Sequence, residues 1–374
     1  MSVTKGGYWQ GLDIIRVAAI VGVVFIHVVQ SELRTSPNLD WQWWSLNITQ
    51  SLFIWAAPAF VIISGILLLN PQKKEEEPHD FYRKRLPKVG IPLLFWGCVY
   101  IQLEPRWDSS RTLEVILHGI FIGHISEHLY FLFAIIGLYL LTPYLRSWLA
   151  KLSEHQERLV LVGIFSTLIL IEIVQSLAGI YVFLFATQWI PFLGYYLFGH
   201  YISRYQTRPI HFFFYLALSA TNVPLNSIGK YIERISATHT ISYFYSTKYN
   251  SVTAVVLTIG IFGVLFMLTE SISEDGAIAR ICRFLNPRVF GIYLIHILLL
   301  RGFHYYFGIT YPTEAATALI ESLIVIIFSL LGLSIINLVP GGWWVVGFST
   351  PVISAVSPKV ESQEQLMRAQ IPTE

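Results

Sequence analysis

The run from Leu12 to Gln30 is apolar enough to cross a bilayer, yet it carries an arginine, Arg16, and a histidine, His27. Eleven positions separate them, which on an α-helix is about three turns, an angular offset of about 20° and an axial separation of about 16 Å. Both side chains therefore leave the helix from one face. An ionisable group at hydrocarbon depth is costly unless it meets protein or water, so this face is expected to border a polar cavity. Taken singly, each residue also has a plainer reading: Arg16 at the membrane interface, His27 as a hydrogen-bonded core residue.

The chain is 54% hydrophobic and 13% charged, whereas a soluble domain carries about 25% charged residues. An integral membrane protein is expected. A net charge of +2 without an aromatic-interleaved basic cluster argues against nucleic acid as a partner. Cys98 and Cys282 fall far apart in any topology and support neither a disulfide framework nor a metal site. One lysine precedes Leu12 and no small-residue cleavage motif follows the first run, so that run is expected to be retained rather than removed as a signal peptide.

Apolar runs of about 17–25 residues suggest ten spans, near 12–30, 47–69, 88–103, 127–145, 159–178, 183–201, 210–224, 250–269, 288–304 and 315–338. With the N-terminus inside, seventeen Lys and Arg fall in inner segments and seven in outer ones, so the positive-inside rule puts both termini in the cytoplasm. The expectation is an all-α, polytopic integral membrane helical bundle of about ten transmembrane helices. Residues 1–345 would form the membrane domain and 346–374 a polar cytoplasmic tail. Asn226 to Lys248 reads as a polar, aromatic outer segment long enough to cover a site.

Several shorter patterns could carry chemistry. Asp13 lies three residues before Arg16, within pairing reach on a helix, either as an interfacial salt bridge or as part of a site. PAFVIISG (58–65) sets Ser64 and Gly65 in the second span after a kinking Pro58; small residues there serve close helix packing or line a cavity. FYRKRLPK (81–88) gathers Arg83, Lys84, Arg85 and Lys88 at the inner end of the third span, where they fix topology or grip phosphates. EHLYFL (127–132) and FGIYLIH (290–296) supply His128, Tyr293 and His296, each readable as a packing residue or a substrate contact. No Walker A loop, GxSxG elbow or HExxH pair occurs.

Together these segments resemble acyltransferase family 3, bacterial membrane proteins that O-acylate surface polysaccharides and other extracytoplasmic acceptors. LDIIRVAAIVGVVFIH is similar to the family's opening arginine, ten residues and a histidine, and PAFVIISG to its small-x-x-Phe-x-x-Ser-Gly segment. FYRKRLPKVGIP resembles its arginine-rich approach to the third span, HLYFLFAIIGLYLLTPYL its aromatic fourth span and FGIYLIH its late-span signature. Lacking an appended secreted domain, the chain looks closest to the compact branch that includes the enterobacterial common antigen O-acetyltransferase. Val17 departs from the glycine that often follows the first-span arginine.

The resemblance implies a multi-pass O-acyltransferase of the inner (cytoplasmic) membrane. Acyl-CoA, acetyl-CoA in the first instance, would be the cytoplasmic donor co-substrate, with no permanently bound cofactor. A sugar hydroxyl of a lipid-linked or cell-surface glycan would be the acceptor. His27 would serve as base or carry the acyl group as a nucleophile, and Arg16 would bind donor phosphate or stabilise developing charge. Arg83 and Arg85 would hold the coenzyme's phosphates, Ser64 and Gly65 would line the donor cavity, and His128, Tyr293 and His296 would face the acceptor. A transporter or flippase for a glycolipid or small polar solute would explain ten spans with buried polar residues equally well. A non-catalytic subunit of an export assembly is a third reading, and acyl-CoA turnover separates the first from both.

Overall fold

The computed structural model describes residues 10–347 apart from 71–75, 108–112, 123–124, 179–183, 206–208, 237–247, 270–271 and 273–275. Among the described residues all regular structure is helical. The first crossings are α1 (Gln10–Thr35), the broken pair α2 (Trp41–Phe53) and α3 (Ala56–Leu68), and α4 (Pro78–Trp107). Beyond the short α5 (Leu113–Ile122) come α6 (Tyr130–Leu149) and α7 (Glu154–Ala178), then α8 (Leu193–Tyr205) and α9 (Pro209–Ile235). The chain continues through α10 (Val252–Thr269), the pair α11 (Ala277–Leu285) and α12 (Val289–Phe307), α13 (Ala315–Ile336) and the single turn α14 (Gly342–Val345).

Eight of these stretches are long and apolar enough to cross a membrane, so the chain is an all-α, polytopic membrane protein. They match eight of the ten spans that the sequence suggests. The other two, 183–201 and 210–224, fall on α8, only 13 residues long, and on α9, which carries Pro224 and many polar side chains. The polar tail expected from 346, and the part of the outer segment at 237–247, lie outside the described residues apart from Val346 and Gly347.

The first helix is the hub. It packs against α2, α3, α10, α11, α12 and α13, burying Leu12, Ile15, Ala19, Val24, Phe25 and Val28. Asp40 starts α2, its Oδ1 accepting from the backbone N–H groups of Gln42 and Trp43, each at 3.1 Å. The kink expected at Pro58 is a break. Proline has no N–H to bond the carbonyl four residues back, and its ring collides with it; that carbonyl belongs to Ile54, where α2 stops.

Two further contacts fix the bundle. Gly65 of α3 lies against the backbone of Tyr196, and Gly199 of α8 against the backbone of Ile62, so that a Cβ at either would strike a carbonyl oxygen of the opposite helix. This is the close approach that small residues permit in membranes. The Tyr100 hydroxyl of α4 donates to the Leu294 carbonyl at 2.9 Å and accepts from the Leu298 N–H at 3.2 Å. It thus bridges two groups that the α12 ladder would otherwise pair, beside His296, which is how an inserted side chain bends a helix.

Valine at Gly65 or Gly199 is expected to lower the thermal midpoint of the detergent-solubilised protein by several degrees, since overpacking costs about 1–3 kcal/mol. Unchanged midpoints in both variants would show that α3 and α8 do not approach this closely.

Candidate functional site

The face shared by Arg16 and His27 borders two cavities rather than one. Arg16 lines a cavity of about 590 Å³ together with Ser64, Lys88, Tyr139 and Asn286. His27 lines another, of about 720 Å³, with Glu127, His128 and Lys230 on its wall and Arg34 and Arg234 among its charged residues. Phe60, Phe131 and Tyr293 line both. The Phe131 ring stands 6.5 Å from Phe60 and 5.8 Å from Tyr293, centroid to centroid, and the Tyr293 hydroxyl donates to the His128 carbonyl. Three aromatic rings, which we call the throat, therefore stand where the two cavities meet. Helix α3 shows the same division along one stripe: Ala57 lines the His27 cavity, Phe60 the throat and Ser64 the Arg16 cavity, a spacing of three and then four residues that keeps one helix face.

At the His27 end, Nδ1 of His27 lies 3.7 Å from Glu127 Oε2, within ion-pair reach but long for a hydrogen bond. The other carboxylate oxygen of Glu127 is 3.2 Å from Arg301 Nη2. The His27 ring is 5.3 Å from that of His296, which is 5.2 Å from that of His128. His296 Nδ1 sits 2.7 Å from the Tyr293 carbonyl. A carbonyl only accepts, so Nδ1 carries the proton and Nε2 of the neutral ring is a lone pair.

At the other end, Arg16 Nη1 donates to Asp13 Oδ1 at 3.1 Å and to Asn286 Oδ1 at 3.4 Å. The local pair with Asp13 is present, and Asn286 ties it to the turn between α11 and α12. Of the expected donor ligands, Ser64 lines this cavity and Gly65 instead faces α8. Arg83 is exposed and pairs with Asp80 at 3.3 Å. Arg85 pairs with Glu76 at 2.9 Å and lies over the Phe81 ring. A hydrogen bond from Lys84, with the charge of Arg85, holds the Glu76 carboxyl below its usual range. Lys88, one turn further along α4, is the cation of this cluster that lines the cavity.

Lys230 has no counterpart among the residues that the sequence singled out. Its Nζ donates to Gln50 Oε1 at 3.0 Å and to Ser51 Oγ at 3.1 Å; Ser51 Oγ also accepts from Asn226 Nδ2 at 3.0 Å and lies 3.1 Å from Ser227 Oγ. Burial pushes the ammonium down to about 7. Nothing in the sequence marks Lys230 beyond its being an outer-side cation, because its direction depends on how α9 docks on α2. Glu127 stands beside His128 in a segment that drew notice, but its partner Arg301 comes from α12.

The fold defines a multi-pass membrane protein. A family model described as an acyltransferase domain matches residues 9–338, and the chain belongs to that family, acyltransferase family 3; it is a membrane acyltransferase. No curated protein and no solved structure matches the chain.

The lowered value of Lys230 means that the unfolded chain binds more protons than the folded one above pH 7, so the contribution of Lys230 to stability rises with pH from there toward the value of an exposed lysine. The thermal midpoint of the wild type relative to K230M is expected to rise between pH 7 and pH 9. A difference that does not move with pH would show that folded Lys230 keeps its proton.

Proposed function

We propose that the protein transfers an acyl group, acetyl in the first instance, from cytoplasmic acyl-CoA to a sugar hydroxyl of a lipid-linked or cell-surface glycan, working in the inner (cytoplasmic) membrane. One observation carries this reading: a single helix face delivers Arg16 to one cavity and His27 to another, and the two cavities share one aromatic throat. Two cavities that meet at these rings suit a reaction whose donor and acceptor approach from opposite sides.

The donor occupies the Arg16 cavity, where Arg16 and Lys88 meet its anionic and polar groups and Ser64 flanks its arm. Arg83 and Arg85 stand nearer the cytoplasmic rim. Arg16 lies about 16 Å along the helix from His27, so its part is to hold the donor rather than to stabilise charge at the reacting carbonyl. The thioester end reaches the throat, and the acceptor hydroxyl enters the His27 cavity. Nε2 of His27 removes the hydroxyl proton while Glu127, held by Arg301, faces Nδ1, favours its protonated tautomer and stabilises the imidazolium that forms. The acceptor oxygen attacks the thioester carbonyl, the carbon–sulfur bond breaks, and the thiolate departs through the Arg16 cavity. His296 packs against the His27 ring and orients it, and His128 packs in turn against His296.

The test is acyl transfer from acetyl-CoA by the purified protein in detergent. Loss of a general base typically costs about 10²–10⁴ in rate, so H27A is expected to lose activity on that scale, E127Q to lose less, and R16A to raise the KM for acetyl-CoA. Wild-type turnover in H27A would remove the proposal. Enlarging the throat in F60A or F131A is expected to raise the butyryl-to-acetyl transfer ratio about tenfold, the scale on which apolar sites discriminate added methylenes. An unchanged ratio in both would mean that the rings do not gate the acyl group.

A further inference from the structure

We infer that the His27 cavity is built for an anionic acceptor: a glycan bearing a carboxylate or a phosphate, which Lys230 meets inside the cavity and Arg34 and Arg234 meet beside it. The inference rests on the proposed transfer for its biological sense, but its geometry stands apart from the catalytic histidine.

Lys230 is placed by a polar seam, not by a counter-ion. Its two acceptors, Gln50 Oε1 and Ser51 Oγ, are both neutral. Ser51 is fully buried, and the seam that holds it runs on through Asn226 to Thr253 Oγ1, 2.8 Å from Asn226 Oδ1. Among the described residues Lys230 makes no ion pair, and residues 237–247, which follow α9, contain no Asp or Glu. A desolvated ammonium whose hydrogen-bond acceptors are both neutral, with Glu233 the one carboxylate whose charge favours it, is costly, and an anion arriving in the cavity would supply a direct charged partner.

The other charges on the wall point the same way. Glu127 is already engaged by Arg301, which leaves Glu233, one turn beyond Lys230, as the remaining carboxylate against Lys230, Arg34 and Arg234. Arg34 and Arg234 are both exposed, and Arg234 Nη2 donates to the Ser36 carbonyl at 3.0 Å, tying the end of α9 to the end of α1. The aromatic wall suits the sugar itself: Trp43 lines the cavity, and behind it the Trp44 and Tyr231 rings lie 5.1 Å apart. A carboxylated sugar and a phosphorylated sugar present the same feature to these cations, two or three anionic oxygens that accept charge-assisted hydrogen bonds.

The experiment uses the full-length protein in detergent at pH 7.5 and reads the rate of amine acylation at Lys230 by peptide mass spectrometry. The probes are methyl glucuronide, methyl glucoside 6-phosphate and neutral methyl glucoside. Either anionic probe is expected to slow labelling of Lys230 at least fivefold at a concentration where the neutral glucoside has no effect, and the R34A/R234A variant is expected to need several-fold more of it. Protection by the uronide alone, or by the phosphate alone, supports the inference and identifies the group. Equal protection by the neutral sugar, or none by any probe, overturns it. In the acyl-transfer assay K230M is expected to raise the KM for an anionic acceptor at least tenfold while kcat changes little, and K230R to recover part of the loss. Transfer that proceeds equally to neutral and anionic acceptors would sink this inference and leave the acyltransfer reading standing; protection by the anions in a protein that transfers no acyl group would do the reverse.

Discussion

An arginine and a histidine set in a helix of bilayer depth must both face away from lipid, because hydrocarbon cannot solvate either. That constraint makes α1 the centre of the bundle. The polar face must meet protein or water, whereas apolar faces are satisfied by lipid or by other helices alike; in this bundle α1 packs against six other helices. The cavities follow from the same requirement, since the polar face needs space and partners where the apolar faces need contact. Two of the elements that complete the site, α3 with its stripe of Ala57, Phe60 and Ser64, and α12 with Tyr293 and His296, pack directly against α1.

Much of this was legible in the sequence. The periodicity of α1 foretold the shared face of Arg16 and His27, and Pro58 foretold the interruption that separates α2 from α3. What the sequence could not show was how that face is divided. Arg16 and His27 share a direction, but the rings that part their cavities come from α3, α6 and α12, and their meeting is a tertiary fact. The same holds for the pairing of Glu127 with Arg301 and for the turning of Lys230 toward Ser51. Local patterns also misled in one respect: Ser64 and Gly65 read as a unit, yet adjacent helical residues point about 100° apart, so one lines a cavity while the other seats α8.

The arginine cluster before the third span is divided by depth along its helix. Arg83 and Arg85 are engaged by Asp80 and Glu76 at the end of α4, while Lys88, deeper along the same helix, reaches the cavity wall. Depth along the helix, more than charge density, decides which cation of the cluster lines the cavity.

The aromatic throat also bears on how the reaction couples to a polarised membrane. In the proposed transfer the acceptor's proton appears at His27, on one side of the rings, while the thiolate appears on the other. Phe60 and Phe131 offer no group to carry a proton between them, and the Tyr293 hydroxyl is committed to a backbone carbonyl. A proton that leaves by the His27 cavity then completes the movement of one positive charge outward in each turnover. Against an inside-negative potential a full crossing is worth about 2.3 kcal/mol per 100 mV. In the proposed transfer acylation is thus electrogenic, and where proton release limits turnover its rate falls as the membrane becomes more strongly polarised.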